Sequence, residues 1–489
     1  MRASLLWAAF ATTCIAAPFL LQPKGTTAHA EAGSQGNPAL PGGGATARLR
    51  SFTRNAFSAP SGNIGFAKQL DFKIGNAVFR KLWVSSPAST KSSDGLGPLF
   101  NAQSCQRCHL KDGKGHPPAH ENDDAVSMLV RLSIPPQTAY DVALLASGTV
   151  NVIPEPTYGG QFQDLAIQGH EHEGRIRLSY SEKAFELADG NVVMLRKPRV
   201  LFDGLTYGAM HPQVMTSPRI APQMIGLGLL DAIPEAHIRA LADPEDLNND
   251  GISGRVNEVW SHTEKRTALG RFGWKAGQPT LLQQTADAFA GDMGLSTSLI
   301  PAATAGDCTA SQTRCQKAPN GIDPNGAPEV RDELLTLTHF YAANLGVPPR
   351  RNVDDAAVLA GEQLFLSAGC ASCHTPSHTT GPNAAGGKHL SNQVIFPYTD
   401  LLLHDMGEGL ADHRPEGAAS GREWRTPPLW GIGLTQTVSG HTTFLHDGRA
   451  RNLTEAILWH GGEGQAARDY FAALAKDDRQ RLIAFLESL

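Results

Sequence analysis

The chain has 489 residues, 41% of them hydrophobic and 18% charged, with a formal net charge of -5. That composition excludes a disordered chain, the mildly acidic balance argues against a nucleic-acid binder, and the length predicts more than one folding unit. Fifty glycines and 32 prolines predict many turns and irregular loops.

The chain opens on Arg2, an apolar run from Leu5 to Leu21 and the small-x-small triplet Ala28-His29-Ala30. This is the pattern of an export signal, here cleaved after about Ala30. No later stretch is apolar for long enough to span a bilayer. The mature protein is therefore expected in the periplasm and not in the membrane. Residues 31–60, rich in Gly, Ala, Ser and Pro, read as a flexible leader.

A helical pattern follows over Gln69–Phe79, with Ile74, Val78 and Leu82 expected on one face. Gly75-x-x-x-Phe79 precedes the motif Cys105-Gln106-Arg107-Cys108-His109, and Gly361-x-x-x-Phe365 precedes Cys370-Ala371-Ser372-Cys373-His374. The recurrence predicts two copies of one unit. In each copy glycine would let a second helix approach, and the aromatic ring would lie one turn on. Two thiols at this spacing form thioethers to the vinyl groups of haem, and the adjoining histidine donates a ring nitrogen to the iron. A zinc site would need four ligands and commonly a second knuckle. Two covalently bound haem c groups are therefore expected, on Cys105, Cys108, Cys370 and Cys373, with His109 and His374 on the iron.

Between the motifs, Val126–Ser133 alternates like a strand. Residues 175–180 and 191–200 flank a hairpin turn at Ala188-Asp189-Gly190. Residues 217–242 read as helical. Asp246-Leu247-Asn248-Asn249-Asp250-Gly251-Ile252 reads as the start of a calcium loop, with oxygen side chains at Asp246, Asn248 and Asp250. Position 12 is Asn257 rather than glutamate, and Glu258 stands one place late. An Asx-turn-rich loop is the competing reading. Cys308 and Cys315, in a loop-rich stretch from 295 to 328, are expected to pair in an oxidising compartment. Helices are expected over 329–344, Leu453–Trp459 and Asp477–Leu489, the last closing the second unit.

The sixth iron ligands bear on function. Met406, in His404-Asp405-Met406-Gly407, follows the second motif in a position suited to a Met ligand, which raises the potential. For the first haem no ligand stands out among His170, His172, Met210, His211 and Met215, which is consistent with an open iron.

These residues resemble the di-haem oxidoreductases, relatives of the bacterial di-haem cytochrome c peroxidases and the MauG enzymes. Besides the two motifs, the marks are Gly226–Leu230, Phe272–Ala276, Gly291–Gly294, His404–Gly407 and Phe444–Arg449. The resemblance covers about residues 60–489. It implies that Trp274 lies between the haems and that Gln284 belongs to the active site. Asp292 stands where the peroxidases carry a catalytic Glu. The peroxidases' distal His has no clean counterpart. Met406 gains support from the Thr426-Pro427-Pro428-Leu429 and Phe444–Gly448 stretches that follow it.

The expected architecture is mainly α, with two cytochrome c-like haem domains and an irregular, partly β insertion between them. The boundaries are 1–30 (signal), 31–60 (leader), 61–125 (first haem domain), 126–260 (insertion), 261–345 (rest of the first domain and inter-haem region) and 346–489 (second haem domain). The expected activity is reduction of hydrogen peroxide, with electrons from a small cytochrome or cupredoxin relayed from the second haem to the first. The alternatives are a di-haem electron carrier without peroxidase activity and a thiol-redox enzyme using Cys308 and Cys315.

Overall fold

The computed structural model describes residues 36–489 apart from 121–122, 124–125 and 302–307. The export signal and its cleavage point lie outside the described residues.

The first helix, α1 (Phe66–Phe79), buries Phe72, Gly75, Val78 and Phe79. The face expected from periodicity was Ile74, Val78 and Leu82. Val78 is buried, but Ile74 and Leu82 are exposed, and Leu82 falls beyond the helix end. Gly75 sets the buried face, because a methyl group there would overlap the Leu337 carbonyl oxygen. The short helix α2 (Cys105–Cys108) carries the first pair of thiols.

The middle region is strand and loop. Strand β1 (Met128–Ser133) pairs antiparallel with a later strand, Met215–Ile220. Before that partner comes a long antiparallel hairpin of β2 (Arg175–Glu186) and β3 (Val192–Asp203). Its turn closes at Gly190, whose φ of 81° favours glycine over any L side chain. Ile176, Val200 and Phe202 pack against Val130, Leu132 and Phe162. At the far end Leu187 and Leu195 enter the core around Phe365 and Phe485. The hairpin thus ties the middle of the chain to its C-terminal part. The partner of β1 is β4 (Met215–Ile220). It opens the stretch expected to be helical over 217–242, which instead holds this strand and two short helices, Leu227–Asp231 and Glu235–Arg239.

Helix α3 (Leu281–Met293) starts at Thr280, whose side chain accepts from the Gln283 N–H at 3.2 Å, an N-cap that satisfies one end-turn donor. Helix α4 (Asp332–Ala343) packs across α1 at Gly75. Helix α5 (Ala356–Ser367) is capped by Asp355 and buries Val358, Gly361 and Phe365. It crosses the terminal helix α6 (Lys476–Ser488) at Gly361, where a methyl group would overlap the Arg481 carbonyl oxygen. The two Gly-x-x-x-Phe helices therefore make the same kind of close crossing, α1 with α4 and α5 with α6.

The mainly α expectation is corrected. The described residues are 30% helical and 17% strand, and every sheet among them is two-stranded. Frequent glycine and proline keep most helices short, and strand pairing over 128–220 takes up segments that a helical bundle would have used. The expected flexible leader is also corrected from Gly36 onward. Ala45 and Phe57 are fully buried, and the Ala47 N–H donates to the Val347 carbonyl at 2.8 Å.

Candidate active site

The two motifs sit in matching local geometry. At the first, the His109 Nδ1–H donates to the Pro222 carbonyl at 2.8 Å. At the second, the His374 Nδ1–H donates to the Tyr398 carbonyl at 3.0 Å. A carbonyl only accepts, so each ring carries its proton on Nδ1 and offers the Nε2 lone pair, the state an imidazole needs to bind iron. Burial holds both imidazoles at a pKa of about 4, so they are neutral. Burial also pushes the Cys105 and Cys370 thiols up to about 12. Phe79 lies 6.3 Å from the His109 ring and Phe365 lies 6.4 Å from the His374 ring.

All six motif residues line one continuous cavity of about 610 Å³. Trp274, Gln284, Asp292 and Met406 line it too. On α3, Leu281, Gln284, Thr285, Ala288 and Asp292 face the cavity, a spacing of three or four that keeps them on one side of a helix. Gln161 Nε2 donates to Asp292 Oδ1 at 2.9 Å and orients the carboxyl group. Burial raises the Asp292 pKa above the ordinary carboxylate range, while Arg131 and Gln161 oppose the shift.

Trp274 is 9% exposed, and its Nε1–H donates to the Ile220 carbonyl at 2.9 Å. His446 lies edge-on to it and stacks on Trp424 with ring centroids 3.6 Å apart. His170, His172, Met210, His211 and Met215 do not line the cavity. Two thiol pairs, two imidazoles with a free Nε2 and one shared cavity fit a pair of haem c groups.

The family model described as "Di-haem oxidoreductase, putative peroxidase" matches residues 38–489. The chain belongs to the di-haem oxidoreductase family. No curated protein gives a significant match. Among solved structures, a chain of Kuenenia stuttgartiensis hydrazine synthase aligns at 16% identity over 73% of this chain and 90% of its own, with a TM-score of 0.28. A likeness that low carries no argument.

The loop of this di-haem oxidoreductase expected to bind calcium does not fit the ion. Asp246 Oδ1 accepts from the Asp250 N–H at 3.0 Å, and Asn248 Nδ2 donates to Asp250 Oδ2 at 3.1 Å, so the loop's oxygens close Asx turns. Asn257 is buried and donates to the Lys275 carbonyl at 2.7 Å. Glu258 pairs with Arg239 at 2.6 Å. Neither Asn257 nor Glu258 therefore turns a closing carboxylate into the loop. Among the described residues no cluster of three or more His, Cys, Asp or Glu is arranged for a metal ion. Cys308 and Cys315 are joined in a disulfide, away from the cavity lining.

Several cavity residues carried no role in the sequence reading. His404 Nε2–H donates to Asp400 at 2.8 Å and Nδ1–H donates to Glu463 at 2.6 Å. With both nitrogens donating, the ring is an imidazolium. Burial opposes the charge, but the bonds to Asp400, Cys373 and Glu463 outweigh it and push the pKa up to about 12. His460 Nδ1–H donates to the Ala456 carbonyl at 2.8 Å. Its ring and the Met406 methyl group both lie 3.1 Å from the point where a side chain on Gly464 would begin. Lys114 and Arg425 also face the cavity. These residues come from separate segments, and only the His404–Gly407 and Phe444–Arg449 stretches gave any local signal. No described helix is long and apolar enough to cross a membrane.

Proposed function

We propose that the protein is an exported di-haem c-type peroxidase that reduces hydrogen peroxide with electrons from a small cytochrome or cupredoxin. Bound at both motifs, haem c would supply two one-electron stores and an iron able to bind peroxide. Cys105, Cys108, Cys370 and Cys373 would hold the groups covalently, and His109 and His374 would each give Nε2 to an iron. We read the α1/α4 and α5/α6 helix pairs as the frames of the two haem units. The Cys308–Cys315 disulfide suits an oxidising compartment such as the periplasm.

With haem bound at the second motif, Met406 would be a further ligand to its iron, and donor electrons would enter there. Trp274 lies on the route towards the first. At the first motif Asp292, held by Gln161, would take a proton from one peroxide oxygen on its carboxylate and return it to the other. Gln284, two turns earlier on the same helix face, positions the peroxide. Burial raises the Asp292 pKa, which makes its carboxylate a readier proton acceptor.

The observation that carries the reading is the single cavity that joins both motifs and holds Asp292, Gln284 and Trp274 in its wall. The experiment is electron paramagnetic resonance with rapid mixing. A high-spin ferric signal from one haem, before or after one-electron reduction, with prompt reaction with peroxide, supports it. Two low-spin haems that ignore peroxide favour the electron-carrier alternative.

A further inference from the structure

Six Lys or Arg side chains line the cavity against three Asp or Glu. Most of the cations are accounted for. Arg219 pairs with Glu416 at 2.7 Å, Arg131 with Asp287 at 3.8 Å and Arg468 with Asp469 at 2.7 Å. Arg271 donates to the Ile233 carbonyl at 2.6 Å and has Asp231 nearby. Lys114 and Arg425, like Arg271, form no ion pair with a carboxylate among the described residues, and these two adjoin Trp274.

Both flank Trp274. The Lys114 ammonium lies 5.8 Å from the Trp274 ring and 5.2 Å from the Phe444 ring. The Arg425 N–H donates to the Trp274 carbonyl at 2.9 Å, and its Nε donates to the Gly273 carbonyl at 2.9 Å. The nearest carboxylates are engaged elsewhere. Asp447 is bound by Arg449 at 2.7 Å, and Asp400 is bound by His404 at 2.8 Å. Desolvation lowers the Lys114 pKa to about 8 and the Arg425 pKa to about 10. A desolvated cation without a counter-ion is costly, so the wall of this cavity is built for an anionic occupant.

We propose that Lys114 and Arg425 bind haem propionate carboxylates on the two sides of Trp274. The inference rests on the reading that porphyrin is attached at both motifs. Each haem brings two propionates and no other carboxylate. Where they meet Lys114 and Arg425, the charges cancel beside the indole on the inter-haem route. Lys114 and Arg425 are then positioning residues, and they also act on potential. A cation beside a propionate disfavours the more positive ferric state and raises the midpoint potential.

The test is optical redox titration of the purified holoprotein as wild type, Lys114→Met, Lys114→Gln, Lys114→Arg and Arg425→Lys, with exposed Lys73→Met as the charge control. Pyridine haemochrome assay first establishes two haems per chain. Absence of haem sinks the peroxidase reading itself, not merely this inference. With both haems present, a lowered midpoint potential of at least one haem is expected in the two neutral Lys114 variants. Lys114→Arg, Arg425→Lys and Lys73→Met should stay near wild type. Neutral variants that titrate with the wild-type protein overturn the proposal. Should neither neutral variant fold, redox-difference infrared spectra of the wild type decide. Ionised propionate bands that respond to reduction support the proposal, and protonated carboxyl bands overturn it.

Discussion

The Trp274 indole and the His446 imidazole meet edge-on, with ring centroids 6.5 Å apart and an interplanar angle of 72°. His446 in turn lies flat on Trp424, whose Nε1–H donates to the Leu410 carbonyl at 3.0 Å. Three rings are thus fixed in sequence along the cavity wall. Such rigidity suits a route for electrons, because little must reorganise as charge passes.

Replacing Trp274 by Phe should slow peroxide turnover at least about tenfold, a loss of about 1.4 kcal/mol in transition-state stabilisation. The same change leaves the Ile220 carbonyl unpaired, at a cost of about 1–3 kcal/mol in stability. Stopped-flow oxidation of the reduced protein checks the first effect and a denaturant midpoint the second. Unchanged electron transfer would remove Trp274 from the route.

Asp292→Asn should cut turnover by about 10²–10⁴, the usual range for a lost general acid–base group. Haem content should not change, since Asp292 supplies neither thiol nor imidazole. The Gln161 bond to Oδ1 can persist in the variant, so the fold should hold. Steady-state peroxidase assays beside a haem assay read the two quantities separately. Equal turnover in both proteins would dismiss the proton-transfer role.

Met406→Ala should abolish the near-infrared charge-transfer band of a Met-ligated ferric haem and lower that haem's potential. His460, whose ring and the Met406 methyl group both adjoin Gly464, is the nearby imidazole that could replace it. A ferric spectrum identical to wild type in Met406→Ala would contradict Met ligation.

His404 supports a prediction about pH. Its folded pKa is raised to about 12 from an ordinary value near ~6.5. Its charge therefore contributes stability that is fully present below about 6.5 and is lost as pH rises towards about 12. His404→Leu leaves the buried Asp400 and the partly exposed Glu463 without their cation, at a cost of up to about 3–5 kcal/mol. Urea midpoints across neutral and alkaline pH check both points. A variant as stable as wild type at pH 7 would show that the cluster contributes nothing net.

Gly361→Ala sets two effects against each other. Alanine improves helix propensity by about 1 kcal/mol. Its methyl group overlaps the Arg481 carbonyl oxygen on α6, and backbone cannot move aside by changing rotamer. Overpacking costs about 1–3 kcal/mol, so net destabilisation is expected, with Gly75→Ala behaving alike against α4. Thermal unfolding measures the sign. A raised midpoint would mean that the crossing is looser than described.

Much of the site was legible because its chemistry is contiguous. Cys105–His109 and Cys370–His374 each encode a five-residue unit, and Gly75 and Gly361 mark their close crossings by sequence alone. The turn at Asp189-Gly190 also gave away the long hairpin. What stayed hidden arrives from distant segments. Lys114, Arg425, His404 and His460 acquire meaning only from neighbours that tertiary folding supplies. Ile74 misled because helix periodicity does not say which side a glycine crossing will select. The stretch around Phe57 looked loose because its small residues reveal nothing of the core they enter. The calcium pattern at Asp246–Ile252 lacked one closing carboxylate, and Asn257 is drawn away to Lys275 and Glu416.

The whole reading rests on covalent porphyrin at both thiol pairs, and intact mass spectrometry of the purified protein tests it most directly. Two porphyrin additions are expected, localised by peptide mapping to Cys105/Cys108 and Cys370/Cys373. A polypeptide with no added porphyrin mass at either pair would contradict it.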